Sequence, residues 1–181
     1  MVMRALQPPF VVPDIAGLLA TKLQVPLSSD LFDLWSPTFV DLQWLTTLIG
    51  VMQEVKIHCR MVWWKTMCGA WTTSHRLHEG DQLPCIFGCT DSKDTMCHYL
   101  VCPVLWQLAR EACPLEESSS VPWRLCLKSP TKECFLRLAI AYGVYQSVKN
   151  DPTCLSASHP SPSAVQSRAA GFAKSLALSL T

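Results

Sequence analysis

Charge is scarce in this sequence of 181 residues: Asp, Glu, Lys and Arg together supply 16% of it, against a usual quarter. The net charge of +1 gives the whole chain no pull towards nucleic acid or an anionic membrane surface, so any such affinity must come from a local patch. Glycine is scarce too, 7 residues against 13 prolines, which favours short interrupted segments over a regular sheet. None of the 10 cysteines forms a Cys-x-x-Cys pair, and none has an evident base and oxyanion partner, which argues against a thiol-based enzyme. A cleavable leader is not expected from the first residues either. In "MVMRALQPPFVVPDIAGLLATKL", Pro8, Pro9, Pro13 and Asp14 break the apolar run, and no small-residue cleavage site follows. The chain is therefore expected to be intracellular with reduced thiols, with nothing to separate nucleus from cytoplasm. The longest apolar stretch, "WLTTLIGVMQEVKIHCRMVWW", carries Gln53, Glu54, Lys56 and Arg60 through its middle. That many charges are costly in lipid, and no membrane contact is expected.

What is present is mainly helical pattern. Residues 1–36 are proline-punctuated and read as irregular, with at most a short helix near Ile15 to Lys22. Over residues 37–113 the expectation is an amphipathic helix, a cysteine cluster and a following helix. Ile57, Met61, Trp64, Cys68 and Trp71 recur at steps of four and three, a helical stripe, which places Trp64 and Trp71 in the core. "PVLWQLAREACP" reads as a helix with Pro103 in its first turn and Pro114 past its last. Residues 114–133 read as a linker. Residues 134–150 form the best helix, with Leu136, Ile140, Val144 and Val148 down one face. Residues 151–181 read as a Ser/Pro linker and a weak C-terminal helix or flexible tail. The fold class expected is mainly α, a small helical domain with an inserted zinc knuckle.

Residues 85–102, "CIFGCTDSKDTMCHYLVC", hold the densest chemistry in the chain. Cys85, Cys89, His98 and Cys102 give C-x3-C-x8-H-x3-C, and a tetrahedral zinc ion takes four such soft or borderline ligands. Gly88, inside the first pair, permits a backbone curl that turns both thiols to one point. Asp91 or Ser92 could cap a helix that places His98 and Cys102 at i and i+4 on one face. A four-thiolate set with Cys97 in place of His98 is chemically acceptable. It fits a helix less well, because five residues rotate about 140° from the shared face. A shell closed by four protein ligands leaves no open position for water, so the site reads as structural. His58, His75 and His78 lack paired thiol spacing. Cys113, Cys126, Cys134 and Cys154 lack close partners. The Ser156 to Ser163 stretch could accept phosphate but reads as a plain linker.

The run "WKTMCGAWTTSHRLHEGDQLPCIFGCTDSKDTMCHYLVCPVLW" resembles the zinc-binding segment downstream of the polymerase in reverse transcriptases of non-LTR (LINE-class) retrotransposons. Trp71, Thr72, Thr73, Arg76, Cys85, Phe87, Gly88, Cys89, Asp91, Asp94, His98, Tyr99, Cys102, Pro103 and Trp106 carry the resemblance, which covers about residues 60–106. It implies Cys85, Cys89, His98 and Cys102 as the ligands and contact with template RNA or target DNA. No Tyr/Phe-x-Asp-Asp sequence occurs, so the paired aspartates that hold a polymerase's catalytic metal ions are absent. No endonuclease counterpart is recognisable either. The chain resembles a fragment of such an element, or a reading frame derived from one, and no enzymatic activity is expected.

From Val55 to His78 there are four basic residues, three histidines, three tryptophans and no acid. Basic and aromatic side chains together suit single strands, through phosphate neutralisation and stacking. Arg60, Trp63, Lys65 and Arg76 are the candidate contacts for RNA or single-stranded DNA. Asp91 and Asp94 would repel phosphate, so their side of the knuckle is expected to face solvent or protein. The rival expectation is a zinc-stapled helical module that binds a protein partner through exposed apolar helix faces.

Overall fold

The computed structural model describes residues 42–74, 77, 83–114, 120–128, 130–155 and 161–180. The expected irregular segment at residues 1–36 lies outside the described residues. The described chain is mainly helical, in the order α1 (Leu42–Glu54), α2 (Ile57–Met67), α3 (Met96–Val101), α4 (Pro103–Ala112), α5 (Val121–Arg124), α6 (Lys132–Lys149), α7 (Pro152–Leu155) and α8 (Pro162–Leu180). The only β pairing among these residues is an isolated bridge between Pro84 and Lys93. No described helix is long and apolar enough to cross a membrane.

α6 is the hub. Thr131 caps it, its hydroxyl accepting the Cys134 N–H at 3.3 Å. Beyond the first turn it is apolar on nearly every side, and Phe135, Leu138, Ala139, Ile140, Ala141, Val144 and Tyr145 are fully buried. A helix of that composition must be surrounded, and α1, α2, α4, α5 and α8 all pack against it. The face expected from the sequence is only part of the buried surface, since Leu136 is half-buried while Phe135, Leu138 and Tyr145 are covered.

α2 turns the other way from the expected stripe. Ile57 is 65% exposed, and Met61, Trp64 and Cys68 also face outwards. The buried face is Cys59, Val62, Trp63 and Thr66. Two apolar stripes compete on this helix, and Phe135 of α6, whose ring centre lies 6.0 Å from that of Trp63, takes the second. Gly69, at φ +63°, ends the helix turn, and Trp71 leaves the stripe altogether to enter the core.

Two expected linkers are structured where they are described. In residues 114–133, Pro122, Trp123, Leu125 and Cys126 are buried, because the short α5 wedges Trp123 beneath Arg137 of α6. The expected flexible tail is a helix over Pro162–Leu180 that buries Val165, Ala169 and Ala173. Small residues at steps of four let α8 approach α6 closely, and Gly143 of α6 leaves room for Leu176. Arg168 pairs with Asp151 and ties α8 to the end of α6.

Trp71 is the centre of an aromatic cluster that joins the cysteine-rich loop to α6. Its ring lies 6.3 Å from Tyr99, 5.2 Å from Tyr142 and 5.3 Å from Tyr145, and its indole N–H donates to the Thr66 hydroxyl at 3.0 Å. Such clusters carry energy beyond their buried area. Trp71→Ala is therefore expected to cost about 3–5 kcal/mol in urea unfolding followed by circular dichroism. A loss below about 1 kcal/mol would show that the cluster is not what joins the two parts.

Candidate metal centre

The loop over residues 83–95 is closed by its own backbone. Cys85 N–H donates to Ser92 O at 2.8 Å, and Asp94 N–H to Leu83 O at 2.7 Å. Within it, Gly88 sits at φ +80° and donates to Cys85 O at 3.0 Å. That left-handed turn brings the Cys85 and Cys89 side chains to the same side. Asp91, at φ +56°, makes the return bend in a conformation that short polar side chains tolerate. The helix cap is Thr95 rather than Asp91 or Ser92: its hydroxyl accepts the His98 N–H at 3.1 Å. α3 is thus shorter than expected. It presents His98 in its first turn, and Cys102 stands at its end, where Pro103 opens α4.

Three anchors hold the loop on the helices. The Tyr99 hydroxyl accepts the Ile86 N–H at 3.3 Å, and Gln166 of α8 donates to Phe87 O at 3.1 Å. Asp94 is 1% exposed. Its carboxylate accepts the Ser74 N–H at 2.6 Å and pairs with Lys149 of α6 at 3.3 Å, with Tyr145 Oη at 3.4 Å. A carboxylate buried this deeply needs such partners. Asp94 thus faces protein, while Asp91, the other acid of the loop, is exposed.

Cys85, Cys89, His98 and Cys102 converge, their ligand atoms all within 4.8 Å of one another. Cys89 Sγ and Cys102 Sγ are 3.6 Å apart, near the roughly 3.8 Å edge of a tetrahedron with metal–sulfur bonds of about 2.3 Å. The imidazole supplies an independent sign. His98 Nε2 is buried and has no hydrogen-bond partner, and a buried polar atom left unmatched costs stability unless something fills its place. These four residues could hold a metal ion. Cys97 is not in the convergent set, so the geometry takes the histidine alternative.

The thiols are unequal. The hydrogen bond from Cys102, joined by the backbone N–H groups of Cys89 and Phe87, draws the Cys85 thiol down to about 5. Sharing that bond as donor, and then burial, raise Cys102. Burial raises Cys89. Only thiolates ligate a metal, so whatever protons the three sulfurs share must leave as an ion enters. No disulfide links any of the ten cysteines.

The expected nucleic-acid contacts fare differently. Trp63 is 6% exposed, and its indole N–H donates to Leu125 O at 2.9 Å, so no base can stack on it. The neighbouring Trp64, 53% exposed, presents its indole instead. Arg60 Nε bonds the Val55 carbonyl at 3.2 Å, and the Lys65 ammonium lies over Tyr142 and 3.4 Å from its hydroxyl. Arg76, His75 and His78 lie outside the described residues. Sequence reasoning passed over Arg124, read as linker, and Trp106, counted only as part of a motif. Both bond the end of α3: Trp106 Nε1 donates to Tyr99 O at 2.9 Å and Arg124 Nη1 to Leu100 O at 2.8 Å.

No protein-family model, no curated protein and no solved structure matches the chain.

Three outcomes follow from this geometry. Cys89→Ser and His98→Ala are each expected to abolish stoichiometric metal in purified, reduced protein, while Cys97→Ser retains it. The reverse pattern between His98 and Cys97 would make the centre a four-thiolate site. Metal loading of folded, metal-free protein is expected to weaken steeply as pH falls, because protons compete for all three sulfurs. Loading that is indifferent to acidification would contradict ligation by thiolates. Gly88→Ala must adopt a left-handed φ and would set its Cβ 2.7 Å from Pro162 Cβ. A cost of about 1–2 kcal/mol or more is expected in denaturant unfolding.

Proposed function

We propose that the chain is a zinc-stapled helical module that binds single-stranded nucleic acid and catalyses no reaction. The observation that carries the first half is the convergence of three sulfurs and an unmatched imidazole nitrogen. Zinc suits that donor set, being content with thiolate and imidazole in a tetrahedron, and a shell filled by four protein ligands is structural rather than catalytic. When bound, the ion would fix the Cys85–Cys89 turn against α3. The chain's own residues do the rest. Asp94, Tyr99 and Gln166 hold the loop on α6 and α8, and Trp106 and Arg124 hold the end of α3 that bears Cys102. The setting proposed is an intracellular one, where thiols stay reduced.

The second half rests on the resemblance of residues 60–106 to the segment downstream of the polymerase in LINE-class reverse transcriptases. It gains support from Arg110 and Arg124, cationic side chains in no ion pair with a carboxylate among the described residues. A second reading has its own observation: Ile57, Met61 and Trp64 leave an apolar stripe open on α2, a feature of surfaces that meet another protein.

One titration separates the two. Under the nucleic-acid reading, zinc-loaded protein binds a labelled single strand, and the affinity falls steeply as salt rises. Chelation of the metal abolishes it. Binding that is indifferent to ionic strength, or no binding at all, would contradict that reading and leave the stripe on α2 as the functional surface.

A further inference from the structure

The end of α3 is a cationic place as well as a metal-bearing one. Arg124 reaches the Leu100 carbonyl and lies over the Trp106 ring, its guanidinium carbon 4.8 Å from the ring centre. Arg110 stands four residues beyond Trp106 on α4, on the same helix face, and is exposed. Behind them, Arg137 stacks over Trp123 at 4.9 Å and donates to Cys113 O at 2.9 Å. Burial weakens the hold of Arg124 on its proton, the Cys102 sulfur nearby strengthens it, and the Arg110 and Arg137 charges weaken it again, so Arg124 lies within the field of all three.

Neither Arg110 nor Arg124 is paired with a carboxylate among the described residues. The ion pairs there use Lys132, Lys149 and Arg168, and Glu111, next to Arg110, is engaged by Gln107 at 3.0 Å. A divalent ion with three thiolates carries a single negative charge, enough to offset one guanidinium. The Gln107 amide does not neutralise Glu111, so the place has no large surplus of charge; what it offers is two guanidiniums with no direct carboxylate partner among the described residues. Guanidinium forks match phosphate oxygens in geometry as well as charge, and a stacked, capped arginine such as Arg124 is already ordered before a ligand arrives. Arg60 and Lys65, by contrast, are turned to Val55 and Tyr142.

We propose that Arg110 and Arg124 form a phosphate-binding site beside the metal centre, taking the phosphodiester backbone of a single strand. This rests on the nucleic-acid reading above and moves its contact point from α2 to the α3–α4 junction.

The test uses the zinc-loaded full chain and fluorescence anisotropy with a short labelled uridine oligoribonucleotide. Arg110→Gln is expected to weaken binding several-fold at low salt. It should also flatten the plot of log affinity against log salt by about 0.7, the value of one phosphate contact on a single strand. Arg110 is exposed on α4, so this variant is expected to fold. Arg124→Lys, which keeps a charge and a donor, is expected to bind more tightly than Arg124→Gln, while Lys174→Gln on the exposed side of α8 leaves affinity unchanged. If wild type binds the oligomer and Arg110→Gln binds equally well with the same slope, the site is overturned and the nucleic-acid reading stands. The site is overturned in the same way if Arg60→Gln with Lys65→Gln removes binding instead. If wild type binds no oligomer at any salt, both fall together.

Discussion

Three sulfurs and one imidazole nitrogen meeting at a point is the constraint on which this structure turns. The segment from Leu83 to Cys102 buries Phe87, Met96, Tyr99 and Leu100, with Phe87 edge-on to Tyr99 and Tyr99 in turn against Trp71 and Tyr145 outside the segment. Its two short pieces, a loop closed by backbone hydrogen bonds and a helix of six residues, are each too small to be stable alone. Their mutual position is set where the ligand atoms converge. His98 Nε2 is a buried atom that no protein group matches. An ion there turns a local cost into a cross-link.

That centre does not stand apart from the helical core. Asp94 and Tyr99, both within or beside the loop, reach Lys149, Tyr145 and Trp71, so the loop and α6 share one aromatic and ionic seam. On the other side, Gln166 and the close contact of Gly88 with Pro162 place α8 against the same turn. A change at the four donors would therefore reach α6 and α8 through rigid, packed side chains rather than through a flexible tether. Arg124, bonded to the Leu100 carbonyl, lies against the same short helix end that carries Cys102.

Much of this was legible in the residues alone, and the parts that were not have identifiable causes. The Gly88 turn and the Pro103 helix start are local signals, fixed by neighbours within a few positions, and both are present; Cys85, Cys89, His98 and Cys102 lie close together as their spacing suggests. His98 lies in the convergent set and Cys97 does not, yet the helical-face argument is only part of the reason, because Cys102 stands past the end of α3 rather than within it. The orientation of α2 was not local. Its two apolar stripes satisfy the same periodicity, and only the presence of Phe135 across the interface selects Cys59, Val62, Trp63 and Thr66 for burial. Trp63 was thereby assigned a surface role that its neighbour Trp64 is placed to take. The stretch holding Pro122 and Trp123 reads as a linker because proline and serine flank it, yet a buried tryptophan makes it part of the core. The C-terminal helix was underrated for a similar reason: alanines carry little hydrophobic signal, but they permit the close approach that α6 requires.

What fills the space between the four donors matters most, and X-ray absorption at the zinc edge of freshly purified, reduced protein reads that directly. The predicted spectrum is that of a zinc ion with three sulfur neighbours at about 2.3 Å and one nitrogen at about 2.0–2.1 Å, with no bound water. A spectrum showing only light-atom neighbours, four sulfurs, or no zinc above background would contradict it.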